Sequence, residues 1–157
     1  MSRCLNLTRA GEYALAALSR LALLGDGKAP VTIEAIAAAQ KIPRPFLAKI
    51  FQQCAKAGLI TAKKGASGGV TLARRPESVT LLDVIEACEG TYARDACVFY
   101  SARPCEGPAC ANYCPLRQEE EKLRDRLKAT TLAEMAAALR THPDANVLVG
   151  GNQWTRR

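Results

Sequence analysis

Residues 41–75, KIPRPFLAKIFQQCAKAGLITAKKGASGGVTLARR, contain eight basic side chains and no aspartate or glutamate. The rest of the chain holds fourteen basic and fifteen acidic residues, so the net charge of +7 comes entirely from this stretch. An unmixed basic block repels itself and is typical of a surface that binds a polyanion. Nucleic acid is the first candidate partner. An anionic membrane is a distant second, because the apolar residues here are needed for a core.

The apolar spacing around this stretch predicts a helix-turn-helix. Residues 31–40, VTIEAIAAAQ, form a short helix with Thr32 as its N-cap. After KIP breaks the chain, residues 44–58 restart a helix with Pro45 in the first turn and Gly58 as the stop. Apolar residues recur at three and four residues along this second helix, at Phe46, Leu47, Ile50, Phe51, Cys54 and Ala57.

Residues 59–74, LITAKKGASGGVTLAR, predict two short strands around a glycine-rich tip. Helix, helix and hairpin make a winged helix, whose second helix enters the major groove while the wing follows the backbone or minor groove. The tip could instead cradle a nucleotide phosphate, but KKGASGG is neither a P-loop nor a dinucleotide fingerprint and precedes a strand. We expect DNA contacts, with no carboxylate nearby, from Arg44, Pro45, Lys49, Lys63, Lys64, Gly65, Ser67 and Gly68.

Composition favours helix and a cytoplasmic location. The 157 residues suffice for one ordinary domain, with abundant alanine and leucine and only 5% aromatic residues. The N-terminal segment is basic and then apolar, like a signal peptide, but Glu12, Arg20 and Asp26 interrupt it and its apolar residues have helical spacing. No apolar run approaches the ~20 residues that cross a bilayer. We expect a mainly α-helical cytoplasmic protein without a membrane partner.

Four of the seven cysteines stand at C-x7-C-x4-C-x3-C: Cys97, Cys105, Cys110 and Cys114. An odd total and a reducing compartment disfavour disulfides, and free exposed thiols are a liability, so these cysteines are expected to be bound or reactive. Structural zinc sites favour two C-x2-4-C pairs; Cys110-x3-Cys114 fits one of them, but Cys97-x7-Cys105 is loose for the other. Iron–sulfur clusters, [2Fe–2S] or [4Fe–4S], accept longer loops and are modestly favoured. Zinc is the alternative, and a reversible disulfide switch comes third.

The other cysteines carry weaker signals. Cys54 lies on the apolar face of the second helix, where a buried small hydrophobe is the better interpretation. Cys4 and Cys88 have no neighbour at ligand spacing in the sequence. His142, the only histidine, lies in THPD and is interpreted as a loop residue.

After the cysteines, a charged helix carries a narrow apolar stripe, which suits a two-fold partner helix better than the interior of a monomer. A surface helix packed on its own domain is the close alternative. Thr131 and Glu134 form a capping box that starts another helix. We predict a winged helix-turn-helix domain with a small β-hairpin wing over 1–89, a cysteine-rich cluster-binding loop over 90–115, a long dimerisation helix and a short helix over 116–141, and a tail over 142–157.

LTRAGEYALAAL and RPFLAKIFQQCAKAGLITAKKGASGGVTLARRPESVTLLDVIEA resemble the opening helix, recognition helix, wing and following helix of the winged-helix iron–sulfur transcriptional regulators, the family that includes IscR and NsrR. The resemblance covers about residues 5 to 128. It implies a homodimeric regulator that binds a palindromic operator and holds a cluster beside a long dimerisation helix. Such proteins respond to cluster loss, redox change, iron or nitric oxide.

The chain departs from the family's pattern, which is commonly three cysteines near C-x5-C-x5-C with a fourth ligand from elsewhere. Cys97, Cys105 and Cys114 match best by position, and Cys110 is then the fourth ligand or a bystander. Glu12 stands where some relatives supply an acidic ligand, and Ala48 where one relative has a base-selecting glutamate.

Our working hypothesis is that a cluster fixes residues 90–115 and the long helix against the helix-turn-helix, and so sets the spacing of the two recognition helices. A zinc-stabilised regulator without a sensory role is the alternative. A small iron–sulfur or thiol-redox enzyme is a weaker rival, because the sequence has no nucleotide motif and no base–nucleophile pair. We therefore expect no catalytic residues.

Overall fold

The computed structural model describes residues 7–25, 30–63, 65, 68–90 and 114–141. The fold is mainly helical with one small hairpin, as predicted. In chain order its elements are α1 (Arg9–Gly25), α2 (Ile33–Gln40), α3 (Arg44–Lys56), β1 (Ile60–Lys63), β2 (Gly69–Leu72), a 3₁₀ turn (Pro76–Ser78), α4 (Leu81–Glu89), α5 (Pro115–Ala129) and α6 (Leu132–Thr141).

The helix ends follow the predicted signals. Thr32 Oγ1 accepts a hydrogen bond from Ala35 N at 3.2 Å and so caps α2. Pro45 lies in the first turn of α3, where a missing N–H costs no helical hydrogen bond. Gly58 follows α3 with φ of +71°, a left-handed conformation that a glycine adopts without strain. These local signals fix the two helices of the helix-turn-helix.

One cluster of buried apolar side chains joins all the named helices and both strands. Helix α1 runs through its centre and supplies Ala14, Ala17, Leu18 and Leu21. The two alanines leave room for α6, which packs along α1 although it follows the predicted dimerisation helix in the sequence. Each fully buried leucine or isoleucine contributes about 1.5–3 kcal/mol relative to exposure. The winged helix and the C-terminal helices therefore share one core.

The wing is tied to the chain just before α2. Strands β1 and β2 pair antiparallel with Ile60 opposite Leu72 and Lys63 opposite Gly69. Val31 adds a backbone bridge, because its N donates to Val70 O at 3.0 Å and its O accepts from Val70 N at 2.8 Å. A Cβ on Gly69 would lie 2.7 Å from Val31 O, so only glycine allows this close approach.

A second backbone bridge joins α4 to the two C-terminal helices. Leu81 N donates to Thr130 O and Leu132 N donates to Val79 O, both at 2.9 Å, around the bridged pair Thr80 and Thr131. Since α4 leaves this point and α5 arrives at it, the two helices run antiparallel. The Arg124–Glu86 ion pair at 3.3 Å links them further along.

Both helix starts at this bridge are capped by their own side chains. Thr80 and Asp83 form a reciprocal capping box at α4, with hydrogen bonds of 3.0 and 3.1 Å. The predicted box at α6 is confirmed, because Glu134 accepts from Thr131 N at 2.7 Å and donates its own N–H to Thr131 Oγ1 at 3.3 Å. In the described ranges, no helix combines the length and apolarity that membrane spanning requires.

We predict that Gly69→Ala destabilises the fold by about 1–3 kcal/mol, because the new methyl group forces backbone shifts where β2 meets Val31. Urea denaturation followed by circular dichroism measures the change. Thr61→Ala, an exposed position on the neighbouring strand, is the control and should change little. Equal stability of Gly69→Ala and the native chain would contradict the close contact.

Candidate nucleic-acid interface and metal-binding segment

Helix α3 presents its basic residues to solvent. Its core-facing side chains, Leu47, Ile50, Phe51 and Cys54, are buried. The remaining positions point outward, and the exposed set includes the predicted contacts Arg44, Pro45 and Lys49, with Lys56 in the last turn. The 3.6-residue period separates the two faces. An exposed cationic face on the second helix of a winged helix is the arrangement that fits a major groove.

Phe46 does not join the core as its spacing had suggested. Its side chain is 37% exposed, and its ring packs edge-to-face on Tyr13 of α1 with centroids 5.4 Å apart. The contact holds the first turn of α3 against α1.

The expectation that no carboxylate lies near the basic contacts is wrong for Arg44. Arg44 Nε forms a short ion pair with Glu34 Oε1, since the tight turn between α2 and α3 brings the two first turns together. Glu34 precedes the acid-free stretch, so its proximity is a property of the fold. Its pKa is held below the ordinary value by a hydrogen bond from its own backbone N–H and then by Arg44, so the carboxylate stays charged.

Two further basic residues of the stretch are also partly neutralised. Arg74 donates to Ser78 O and lies 3.7 Å from Asp83 Oδ2, and Arg75 lies 3.7 Å from Glu77 Oε2. Within the part of the chain that the structure describes, the exposed basic side chains of this stretch without an ion pair are Lys41, Lys49, Lys56 and Lys63. The cationic surface is therefore centred on α3 and the end of β1.

The described part of the wing tip is built on glycines. Gly65 has φ of +114°, which strains any other residue, and its O accepts from Gly68 N at 2.9 Å. A Cβ on Gly68 would lie 2.5 Å from Lys63 O. Lys63 ends β1 and is exposed. Lys64 and Ser67 lie outside the described residues, so their predicted DNA contacts stay predictions. The DNA contacts predicted for Gly65 and Gly68 also stay predictions.

Of the predicted metal ligands, only Cys114 is described; Cys97, Cys105 and Cys110 lie outside the described residues. Cys114 is a free, partly buried thiol at the N-cap of α5 and makes no side-chain capping hydrogen bond. Within the described ranges no three histidine, cysteine, aspartate or glutamate side chains gather as metal ligands would. Glu12 lies in the first turn of α1.

The antiparallel packing of α4 and α5 positions both ends of the cysteine segment. The chain leaves α4 at Gly90 and enters α5 at Cys114, and both points lie away from the Thr80–Thr131 bridge. The end of α4 is also tied to α1, because Glu89 Oε1 accepts from Thr8 N and Thr8 Oγ1 at 2.8 Å each. The α5 helix reaches farther from the bridge than α4 does, and Leu116 in its first turn is 49% exposed.

The structure brings together two thiols that the sequence spacing kept apart. Cys54 on α3 and Cys88 on α4 lie with their Sγ atoms 3.9 Å apart, although they are 34 residues apart in the chain. Each lies on the apolar stripe of its helix, next to core residues such as Ile50 and Val84. The two apolar stripes were the only sequence signal for this contact, because residues on the facing stripes of packed helices can meet.

Comparison with known proteins gives consistent matches over most of the chain. Residues 7–138 match the Rrf2 family, described as an iron-dependent transcriptional regulator. An HTH-type transcriptional regulator of Aquifex aeolicus is 35% identical over 128 residues, 79% of this chain and 86% of the relative.

Solved structures agree with the fold. CymR, the global cysteine regulator of B. subtilis, superposes with a TM-score of 0.72 at 24% identity, covering 88% of this chain and 98% of that one. IscR of T. potens has a TM-score of 0.66 at 27% identity and covers 96% of each chain.

We predict that Glu34→Gln tightens binding to a mixed-sequence DNA duplex at low salt by about two- to five-fold, because Arg44 loses its exposed carboxylate partner. Fluorescence anisotropy measures the affinity. Glu119→Gln is the matched control, since it removes the same charge from a carboxylate that pairs with Lys122 on α5. An equal gain in both variants would assign the effect to net charge, and no gain would contradict a role for Arg44.

Proposed function

The chain belongs to the Rrf2 family of transcriptional regulators, and from that premise we propose a dimeric cytoplasmic regulator that binds a palindromic DNA operator and senses redox state, nitric oxide or iron–sulfur status. The observation that carries the DNA-binding part is the exposed cationic face of α3, continued by Lys63 at the base of the wing tip.

The DNA contacts follow from that surface. Lys49 and Lys63 are exposed and form no ion pair with another described residue, so each can neutralise a phosphate. Arg44 contacts DNA only when a phosphate or a base edge replaces Glu34 as its partner. Because the ion pair with Glu34 must first break, weak, non-specific contacts of Arg44 with DNA are disfavoured. Lys64, Gly65, Ser67 and Gly68 complete the proposed wing contact. An enzyme with a basic docking face would show no salt-dependent shift of a palindromic duplex.

Dimerisation is proposed through α5. The apolar residues of this helix form a stripe from the buried Leu127 through Leu123 to Leu116, which is 49% exposed. A second copy of α5 would cover that stripe. Two-fold symmetry would then present two α3 helices to half-sites about 34 Å apart.

The proposed metal ligands are Cys97, Cys105, Cys110 and Cys114. Four thiolates suit an iron–sulfur cluster or zinc, and the family description as iron-dependent favours iron. Cys114 fits a ligand role because it is a free thiol at the N-cap of α5, where the cysteine segment joins the helix. A bound cluster would supply a centre that reacts with oxidants and nitric oxide.

The proposed coupling runs through residues of α4 and α5. The bridge at Thr80 and Thr131 holds one end of this helix pair, and the cysteine segment connects the other end. Thiolates held together there fix the first turn of α5 relative to Gly90. The position of the apolar stripe on α5 then depends on whether a metal or cluster holds the four sulfurs. The spacing of the two α3 helices in a dimer depends on it in turn.

We predict that Lys64→Ala weakens binding to all duplex sequences and lowers the slope of log affinity against log salt by about one unit, because one phosphate contact is lost. Anisotropy over a salt series measures both quantities. Lys122→Ala on α5 is the matched control and should leave the slope unchanged. An unaltered slope for Lys64→Ala would remove the wing from the interface.

We predict that Cys105→Ala abolishes the visible absorption of anaerobically prepared protein and changes operator affinity while the dimer persists. Absorption, mobility shift and light scattering are measured on one preparation. Cys4→Ala, outside the segment, is the control. Lost absorption with unchanged affinity would contradict the coupling, and absorption retained in Cys105→Ala would remove Cys105 from the ligand set.

A further inference from the structure

Cys54 and Cys88 form a thiol pair that the proposed function does not use. Their Sγ atoms are 3.9 Å apart, within reach of a weak S–H···S hydrogen bond, and they join the C-terminal part of α3 to the C-terminal part of α4. Both cysteines are free thiols. Two apolar side chains would fill the same space without any redox chemistry, so the pair is a distinct chemical feature of the core.

The two thiols differ in access and in proton affinity. Cys54 is fully buried, whereas Cys88 is partly exposed. The hydrogen bond lowers the pKa of Cys88, against the opposing effects of burial and of Glu89. The same hydrogen bond, followed by burial, raises the pKa of Cys54. Cys88 is therefore the more accessible thiol of the pair and the one that loses its proton more readily.

We propose that Cys54 and Cys88 are an oxidisable dithiol, which a peroxide converts into an intrachain disulfide joining the recognition helix to α4. A disulfide has its sulfurs about 2.05 Å apart, so the pair must close by about 1.9 Å from its present separation. Gly58 and Gly90, which follow the two helices, have positive φ values, and a glycine changes its backbone conformation at little steric cost, so each last turn can shift slightly.

The reaction balances with one peroxide. The Cys88 thiolate attacks one peroxide oxygen, the O–O bond breaks, and the departing hydroxide takes a proton to become water, leaving a sulfenic acid on Cys88. The Cys54 sulfur then attacks the Cys88 sulfur, the S–O bond breaks, and the leaving hydroxide takes the Cys54 proton. Two thiols are oxidised to one disulfide, and hydrogen peroxide is reduced to two waters.

The cross-link would connect two parts of the molecule that the proposed function uses. Cys54 belongs to the helix proposed to read DNA, and α4 leads through Gly90 into the cysteine segment. Only this consequence rests on the proposed function; formation of the disulfide requires neither DNA binding nor a cluster. We expect the disulfide to change DNA affinity by tilting the last turn of α3 toward α4.

Peptide mapping tests the site directly. The reduced full-length chain is treated with one equivalent of hydrogen peroxide, alkylated in denaturant and digested with trypsin. Cleavage places Cys54 in peptide 50–56 and Cys88 in a peptide that ends at Arg94, each with no other cysteine. We expect the two peptides to be linked, with a mass lower than their sum by two hydrogens.

Two variants complete the design. Cys88→Ser should abolish the linked peptide and leave Cys54 alkylatable, whereas Cys105→Ala should retain the link, which separates this site from the proposed cluster. Cys54 still alkylated in full after peroxide treatment, or Cys88 linked to a cysteine of 97–114, would overturn the proposal. A link that leaves DNA affinity unchanged would overturn the regulatory consequence, and a change of affinity in native protein but not in Cys88→Ser would support it.

Discussion

The backbone bridge at Thr80 and Thr131 is the constraint on which the arrangement of the molecule depends. It fixes the start of α4 and the start of α6 at one point with two hydrogen bonds of 2.9 Å, and both helix starts are capped there. Because α5 ends at this point and packs on α4, it runs antiparallel to α4. At 1.5 Å per residue, the nine residues of α4 span about 13 Å and the fifteen of α5 about 22 Å, so α5 extends about 9 Å farther from the bridge.

That extension brings the features with functional chemistry to one end of the molecule. Cys114 and the exposed Leu116 lie on the extension, and Glu89 ties the end of α4 to Thr8 at the start of α1. The thiol pair adds a contact from α4 to α3. Helix α4 therefore contacts α3, the proposed DNA-reading helix, and α5, the proposed dimer helix, and it leads into the cysteine segment. Both proposed thiol reactions would act on it.

Local signals allowed most of the fold to be predicted from the sequence. Thr32, Gly58 and the Thr131–Glu134 box act within a few residues, so their geometry follows from the sequence. Contacts between distant segments did not follow: Glu34 lies outside the acid-free stretch yet pairs with Arg44, and Cys54 meets Cys88 only because α3 packs on α4. Because Arg44 is paired with Glu34, the cationic surface is smaller than the eight basic residues of 41–75 suggested. The assignment of Cys97, Cys105 and Cys110 as metal ligands rests on sequence spacing and family resemblance alone.

Anaerobic purification of the native chain would show what the cysteine segment binds, with a visible absorption spectrum and with iron, acid-labile sulfide and zinc determined on the same sample. We expect a brown protein that contains iron and sulfide, because the four proposed thiolate ligands would hold a cluster. A colourless protein with one zinc per chain would contradict it, and the cysteine segment would then be a structural site without a sensory role.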